Sequence, residues 1–177
     1  EKIKELVSKD ISYKDICILY RKQNQSSPFI ESFIKENIPY EVSLRKSIKD
    51  IPVLFWFIKL LKTSINDYDK FSFINVLSNE NYGLNLSKES CLGLIKNNFK
   101  DSNIHLVEKI LNYKINKPNI DELFDYFNLH IYLKPTSSSY EDDKLYINTF
   151  LNNLKTFINI NGFAEFQGIK EYINTSA

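Results

Sequence analysis

The stretch that decides the reading is "DICILYRKQNQSSPFIESFIKENIPYEV", residues 15–42. "ICILY" (16–20) is a continuous apolar run of strand length, the pattern of a strand covered on both faces. A polar loop with a lone arginine follows. Ser27 is a natural N-cap and Pro28 a natural first helical residue. Phe29, Ile30, Phe33 and Ile34 then recur as the buried stripe of a helix ending near Asn37. "IPYEV" (38–42) reads as a second extended segment opened by Pro39. Strand, crossover helix and strand predict a short parallel βαβ unit.

Outward from this stretch the period changes. "EKIKELVSKD" spaces Ile3, Leu6 and Val7 on one face of a short helix. Beyond residue 48 the chain reads as helix after helix. The run "IPVLFWFIKLL" (51–61), with Asp50 and Pro52 at its start, is apolar almost all round, which predicts a central buried helix containing Trp56. Phe71, Ile74 and Leu77 mark the buried side of the next, and further helices are predicted at about 87–99, 103–114 and 119–129. "LKPTSSSYEDD" (133–143) is a loop leading into acidic residues that suit a helix N-terminus, so its carboxylates are read as solvated. Tyr146, Phe150, Leu154 and Phe157 stripe the following helix, and "NGFAEFQGIKEYI" (161–173) turns into the last. The aromatic residues fall at helical spacing and are read as core. The expected fold class is mainly α with a small α/β part: a βαβ unit over 1–47 followed by an all-helical subdomain over 48–177.

Composition bounds the function. The chain has 177 residues, 43% hydrophobic and 14% aromatic, enough to bury a sizeable core. Its net charge is +1, so any basic footprint is local. Arg21 and Arg45 are the arginines in a lysine-dominated set. Cys17 and Cys91 have no partner at metal spacing, and Cys17 reads as a small buried hydrophobe. This usage suits a reducing, cytoplasmic setting. No apolar run approaches a membrane span of about 20 residues. His105 and His130 read as helix-surface residues. The chain opens on Glu1, contains no Met and stops just after a helical pattern, and it reads as a piece of something larger.

The ordered set Asp15, Ile16, Ile18, Leu19, Arg21, Gln25, Ser26, Glu31, Asn37, Ile38, Pro39 and Tyr40 resembles the start of the C-terminal half of UvrD/Rep/PcrA-type superfamily 1 DNA helicases. There the pattern runs D-I-A-[IV]-L-x-R-x-N-x-Q-S, a helix with a Glu, then N-I-P-Y. The likeness continues more loosely through residues 48–87 and the tail from 146. It departs where Gln23 stands for the family's Asn, where "SLRKS" (43–47) lacks a Gly-Gly turn, and where "YGLN" (82–85) replaces R-G-I-G. There Tyr82 takes the place of the arginine and Asn85 that of the second glycine. The shorter, less basic version leans toward AddA/RecB-like relatives.

The resemblance implies the first elements of a second motor domain (1–47) and the helical subdomain inserted into it (48–177), in an ATP-dependent 3′–5′ helicase or translocase. The chain has no Gly-rich phosphate loop ending in Lys-Ser/Thr, and its four glycines are isolated. ATP and Mg²⁺ are therefore expected elsewhere in the full-length protein, with no cofactor in this piece. An arginine in a loop at the carboxyl end of a strand and next to a helix N-terminus suits a phosphate of single-stranded DNA. Arg21 is the foremost DNA-binding candidate, with Tyr20, Gln23 and Ser26 on the same track. Lys46 and Lys49, with Arg45, form the densest basic cluster and a second candidate contact to DNA backbone. Expected partners are single-stranded and duplex DNA, the remaining helicase domains and a protein partner. The alternative is a non-enzymatic helical protein-interaction module.

Overall fold

A computed structural model describes residues 1–43, 46–66, 69–100 and 103–176, with the side chains of Gln23, Asn24 and Ser176 outside that description. The chain divides into two compact units, Glu1–Ser43 and Leu44–Ala177.

In the first unit, α1 (Lys2–Ser8) and α2 (Ser27–Lys35) are joined by two short 3₁₀ turns and an extended run. A Lys4–Glu36 ion pair ties the start of α1 to the end of α2. No strand is formed among the described residues, and this overturns the expected βαβ unit. Ile16 has extended torsions (φ −106°, ψ 124°), but extended backbone becomes a strand only when a neighbour takes up its N–H and C=O groups. The burial pattern shows how the reading failed. Ile16, Ile18 and Tyr20 are half-buried, whereas Cys17 is exposed and Leu19 is 91% exposed. The run therefore has one covered side and one open side, and Cys17 is not the buried hydrophobe expected. Ile38, Tyr40 and Val42 repeat the alternation. The stripe on α2 is thinner than predicted as well. Ile30 and Phe33 turn inward, Phe33 lying 5.8 Å from the Tyr40 ring, but Phe29 and Ile34 are 42% and 61% exposed.

The second unit is a helical bundle with a dense core. At its centre is α3 (Pro52–Ile65), whose Pro52 occupies the first turn, where its missing N–H costs nothing. Around it pack α4 (Lys70–Ser78), α6 (His105–Asn116), α9 (Tyr140–Asn161) and α10 (Glu165–Ser176). The short α5 (Lys88–Lys96) lies against α4. The predicted helix at 119–129 is broken into a 3₁₀ turn (Ile120–Glu122), α7 (Leu123–Tyr126) and α8 (Leu129–Tyr132), with Asn128 left-handed at the junction. Trp56, 1% exposed, anchors the core as predicted: its indole N–H donates to the Val76 carbonyl at 3.1 Å, with Tyr82 and Tyr132 rings alongside. Phe150 meets Phe57 edge-on, and the predicted stripe of α9 is buried or half-buried. Gly162, at φ +66°, ends α9 in the left-handed conformation glycine adopts without strain. A Cβ on Gly168 would stand 2.4 Å from Ile158 Cγ1, so that glycine lets α10 close onto α9.

Phe55, Phe71 and Asp143 are among the residues of this unit that depart from their expected surroundings, Phe55 being 44% exposed in the run read as central and buried. Phe71, read as core, is 69% exposed. Asp143, read as a solvated carboxylate at a helix start, is buried.

Candidate nucleic-acid interface

The loop after the extended run is held by one side chain. Gln25 Oε1 accepts hydrogen bonds from the backbone N–H of both Arg21 (3.1 Å) and Lys22 (3.0 Å). This closes the 3₁₀ turn Gln23–Ser26, which runs directly into α2 with Pro28 in its first turn. The arrangement fixes the backbone from which Arg21 projects. Arg21 is exposed, Tyr20 half-buried and Ser26 buried within the turn. The Gln23 side chain lies outside the described residues. The expected setting at the end of a sheet strand is absent. What remains is a guanidinium on a pinned turn at the entrance to a helix.

Lys46 and Lys49 belong to the other unit and are both exposed. Arg45, the third member of that predicted cluster, lies outside the described residues. Lys49 sits in the 3₁₀ turn Ile48–Asp50 that leads into α3. His105 and His130 are exposed on α6 and α8. No group of three or more His, Cys, Asp or Glu side chains is placed to hold a metal ion among the described residues. None of the described helices is long and apolar enough to cross a membrane.

The turn where the helicase pattern carries an arginine is folded inward in this chain. Asn79 Oδ1 accepts from the N–H of Asn81 and Tyr82. The Tyr82 hydroxyl donates to Asp143 Oδ2 at 3.0 Å, and Ser139 Oγ donates to the same oxygen at 2.9 Å. Burial, and then the negative charge of Asp143, push the Tyr82 phenol well above its ordinary range. Gly83 is required sterically, because a Cβ there would lie 2.2 Å from the Val76 carbonyl. The turn at 79–83 is thus a fastening between α4 and the start of α9, with Tyr82 8% exposed.

A second feature escaped the sequence reading. Along α3, Phe55, Lys59 and Lys62 recur at helical spacing on one side. The Lys59 ammonium lies 5.3 Å from the centroids of both the Phe55 and Phe71 rings. A lysine four residues from an outward aromatic was the available signal, but it was outweighed by the apolarity of the rest of the helix.

Comparison with known proteins adds the following. The family model of the UvrD-like helicase C-terminal domain matches residues 1–167. The ATP-dependent DNA helicase Rep of Buchnera aphidicola subsp. Schizaphis graminum is 36% identical over 117 residues, covering 63% of this chain and 18% of that protein. The helicase of the same name from Buchnera aphidicola subsp. Acyrthosiphon pisum is 34% identical over 76 residues, covering 43% of this chain and 12% of that protein. The matches therefore span less than a fifth of either relative's length. No solved structure matches the chain.

Proposed function

We propose a function from one premise: the chain belongs to the UvrD-like helicase C-terminal domain family. It is the C-terminal region of a UvrD/Rep/PcrA-type superfamily 1 helicase, and DNA is the partner we assign to it. In our reading the full-length protein is an ATP-dependent helicase or translocase that moves 3′ to 5′ along one strand. Residues 1–47 contribute to its second motor domain and residues 48–177 form the inserted helical subdomain.

Arg21 is the residue to which we assign a phosphate of the single strand. Support comes from the match over residues 1–167, together with the exposed side chain on a turn whose two N–H groups Gln25 already holds. A charge-assisted hydrogen bond from a guanidinium carried on a fixed backbone adds affinity and fixes register without reading sequence. Tyr20, Gln23 and Ser26 belong to the same track in this assignment, and Lys46 and Lys49 to a second backbone contact. The sequence carries no Gly-rich phosphate loop ending in Lys-Ser/Thr to hold ATP and Mg²⁺. Their binding is assigned to other parts of the full-length protein, and no step is routed through them here.

For the helical unit, a protein contact competes with a duplex contact. Tyr82 favours protein, because the position that would carry a cation toward duplex phosphates donates instead to buried Asp143.

The test is single-strand affinity of the full-length gene product carrying Arg21→Ala, measured across a salt series. Our reading expects weaker binding and a salt slope reduced by about one. Unchanged affinity and slope would remove the phosphate role.

A further inference from the structure

An open helical face that combines two protruding rings with several ammonium groups has the chemistry that holds unpaired bases. Phe55 on α3 is 44% exposed and Phe71 on α4 is 69% exposed. Lys59 stands between them, 5.3 Å from each centroid. Lys62 lies one turn further along α3. Its ammonium is pushed down by partial burial first and then by the like charge of Lys59, with Lys49 adding to that repulsion. Asp69 opposes it, but that carboxylate is already engaged, accepting from Ser72 N–H at 3.0 Å and Ser72 Oγ at 2.7 Å. Lys59 thus stands between the two exposed rings, Lys62 follows one turn along the same helix, and Lys49 precedes that helix close enough for its charge to act on Lys62.

Neither ring is explained by packing. Phe71, 69% exposed, gives up most of its burial free energy, and Phe55, 44% exposed, gives up a large part of it. A cation over each ring occupies one of its two faces. The remaining surface suits a flat, uncharged partner with negative charge nearby. A nucleotide with an unpaired base meets both requirements, whereas a duplex keeps its base faces stacked out of reach.

We propose that the α3–α4 face, with Phe55 and Phe71 as stacking rings and Lys59, Lys62 and Lys49 as phosphate contacts, is a binding platform for single-stranded DNA. The choice of DNA over RNA rests on the function proposed above. The platform is separate from the Arg21 turn, which lies in the other unit.

The test uses the 177-residue chain and oligothymidylate carrying a central 2-aminopurine, whose fluorescence falls when the base stacks. Phe71→Ala and Phe55→Ala are each expected to weaken single-strand binding roughly 5- to 150-fold and to relieve the quenching. Phe71→Leu, which keeps apolar bulk without a π face, should behave like the alanine variant, and thermal melting should be unchanged in both Phe71 variants. Lys59→Gln should lower the salt slope by about one. Four outcomes would overturn the platform: no single-strand binding by the unaltered chain, ring variants with unchanged affinity and quenching, a leucine variant that binds normally, or ring variants that change only the association state in sedimentation. Arg21→Ala measured alongside separates the two readings. Loss with that variant alone sinks the platform and leaves the Arg21 assignment standing; loss with the ring variants alone leaves the platform and removes the phosphate role of Arg21.

Discussion

The two units were built from similar apolar patterns and reached different ends. Residues 44–177 bury Trp56, Phe57, Tyr113, Phe127 and Phe150 to 1% exposure or less. Residues 1–43 bury only Val42 among their hydrophobics, and neither α1 nor α2 contains a buried residue among those described. The difference is one of partners rather than composition. Four helices of the second unit pack against α3, so an apolar stripe becomes a core. In the first unit two extended runs and two short helices leave Leu19, Phe29 and Ile34 facing water. Free energies of local opening follow buried contacts, so the first unit should be the more readily opened part of the chain. The loop to which we assign a strand phosphate sits there, and binding loops are commonly drawn from the less stable parts of a protein.

The comparison breaks most readily at the centre of the second unit. Trp56→Ala removes the largest buried ring and the hydrogen bond to Val76, and should cost about 3–5 kcal/mol, read as a lowered midpoint in urea. Gly83→Ala forces a Cβ against the Val76 carbonyl and should cost about 1–3 kcal/mol in the same titration. Tyr82→Phe leaves Asp143 with Ser139 as its remaining hydroxyl donor among the described side chains. The expected loss is about 1–3 kcal/mol, and a double-mutant cycle with Asp143→Asn should show coupling between the two positions.

Alkali gives a further test of the same unit. Burial raises the phenol of Tyr113 above its ordinary value in the folded state. A group with a raised folded pKa contributes stability that is full below the unfolded value, near 10, and is lost as pH rises toward the folded one. Stability should therefore fall above about pH 10, and Tyr113→Phe should flatten that fall by up to one proton. An identical alkaline slope in the variant would contradict a buried neutral phenol. The smallest effect belongs to the first unit: Leu19→Ser, at a side chain 91% exposed, should change stability by less than about 0.5 kcal/mol. A larger loss would mean that the open side of that run is covered.

What could be read in the sequence follows the same division. The α9 stripe was legible because a 3.6-residue period over a long segment specifies both a structure and a buried face. The helix read over 51–61, with Trp56 in the core, was legible because a run apolar almost all round must be central; its last turn, to Ile65, was not read. The family was legible from the ordered residues between Asp15 and Tyr40. The sheet was not, because "ICILY" states that its residues are apolar but not that anything lies beside them. Phe71 shared the same helical spacing as Ile74 and Leu77, and spacing does not say where a stripe ends. Asp143 was misread because its partner, Tyr82, is 61 residues away. The Arg21 turn was proposed from its pattern, whereas the rings of Phe55 and Phe71 on either side of Lys59 needed a contact between two helices to be visible.

The most direct measurement is a salt titration of single-stranded DNA binding by the full-length gene product, unaltered and with Arg21→Ala. Our account predicts tight binding by the unaltered protein, with a variant that binds more weakly and has a shallower dependence on salt. Two superimposable lines would mean that this guanidinium grips no strand.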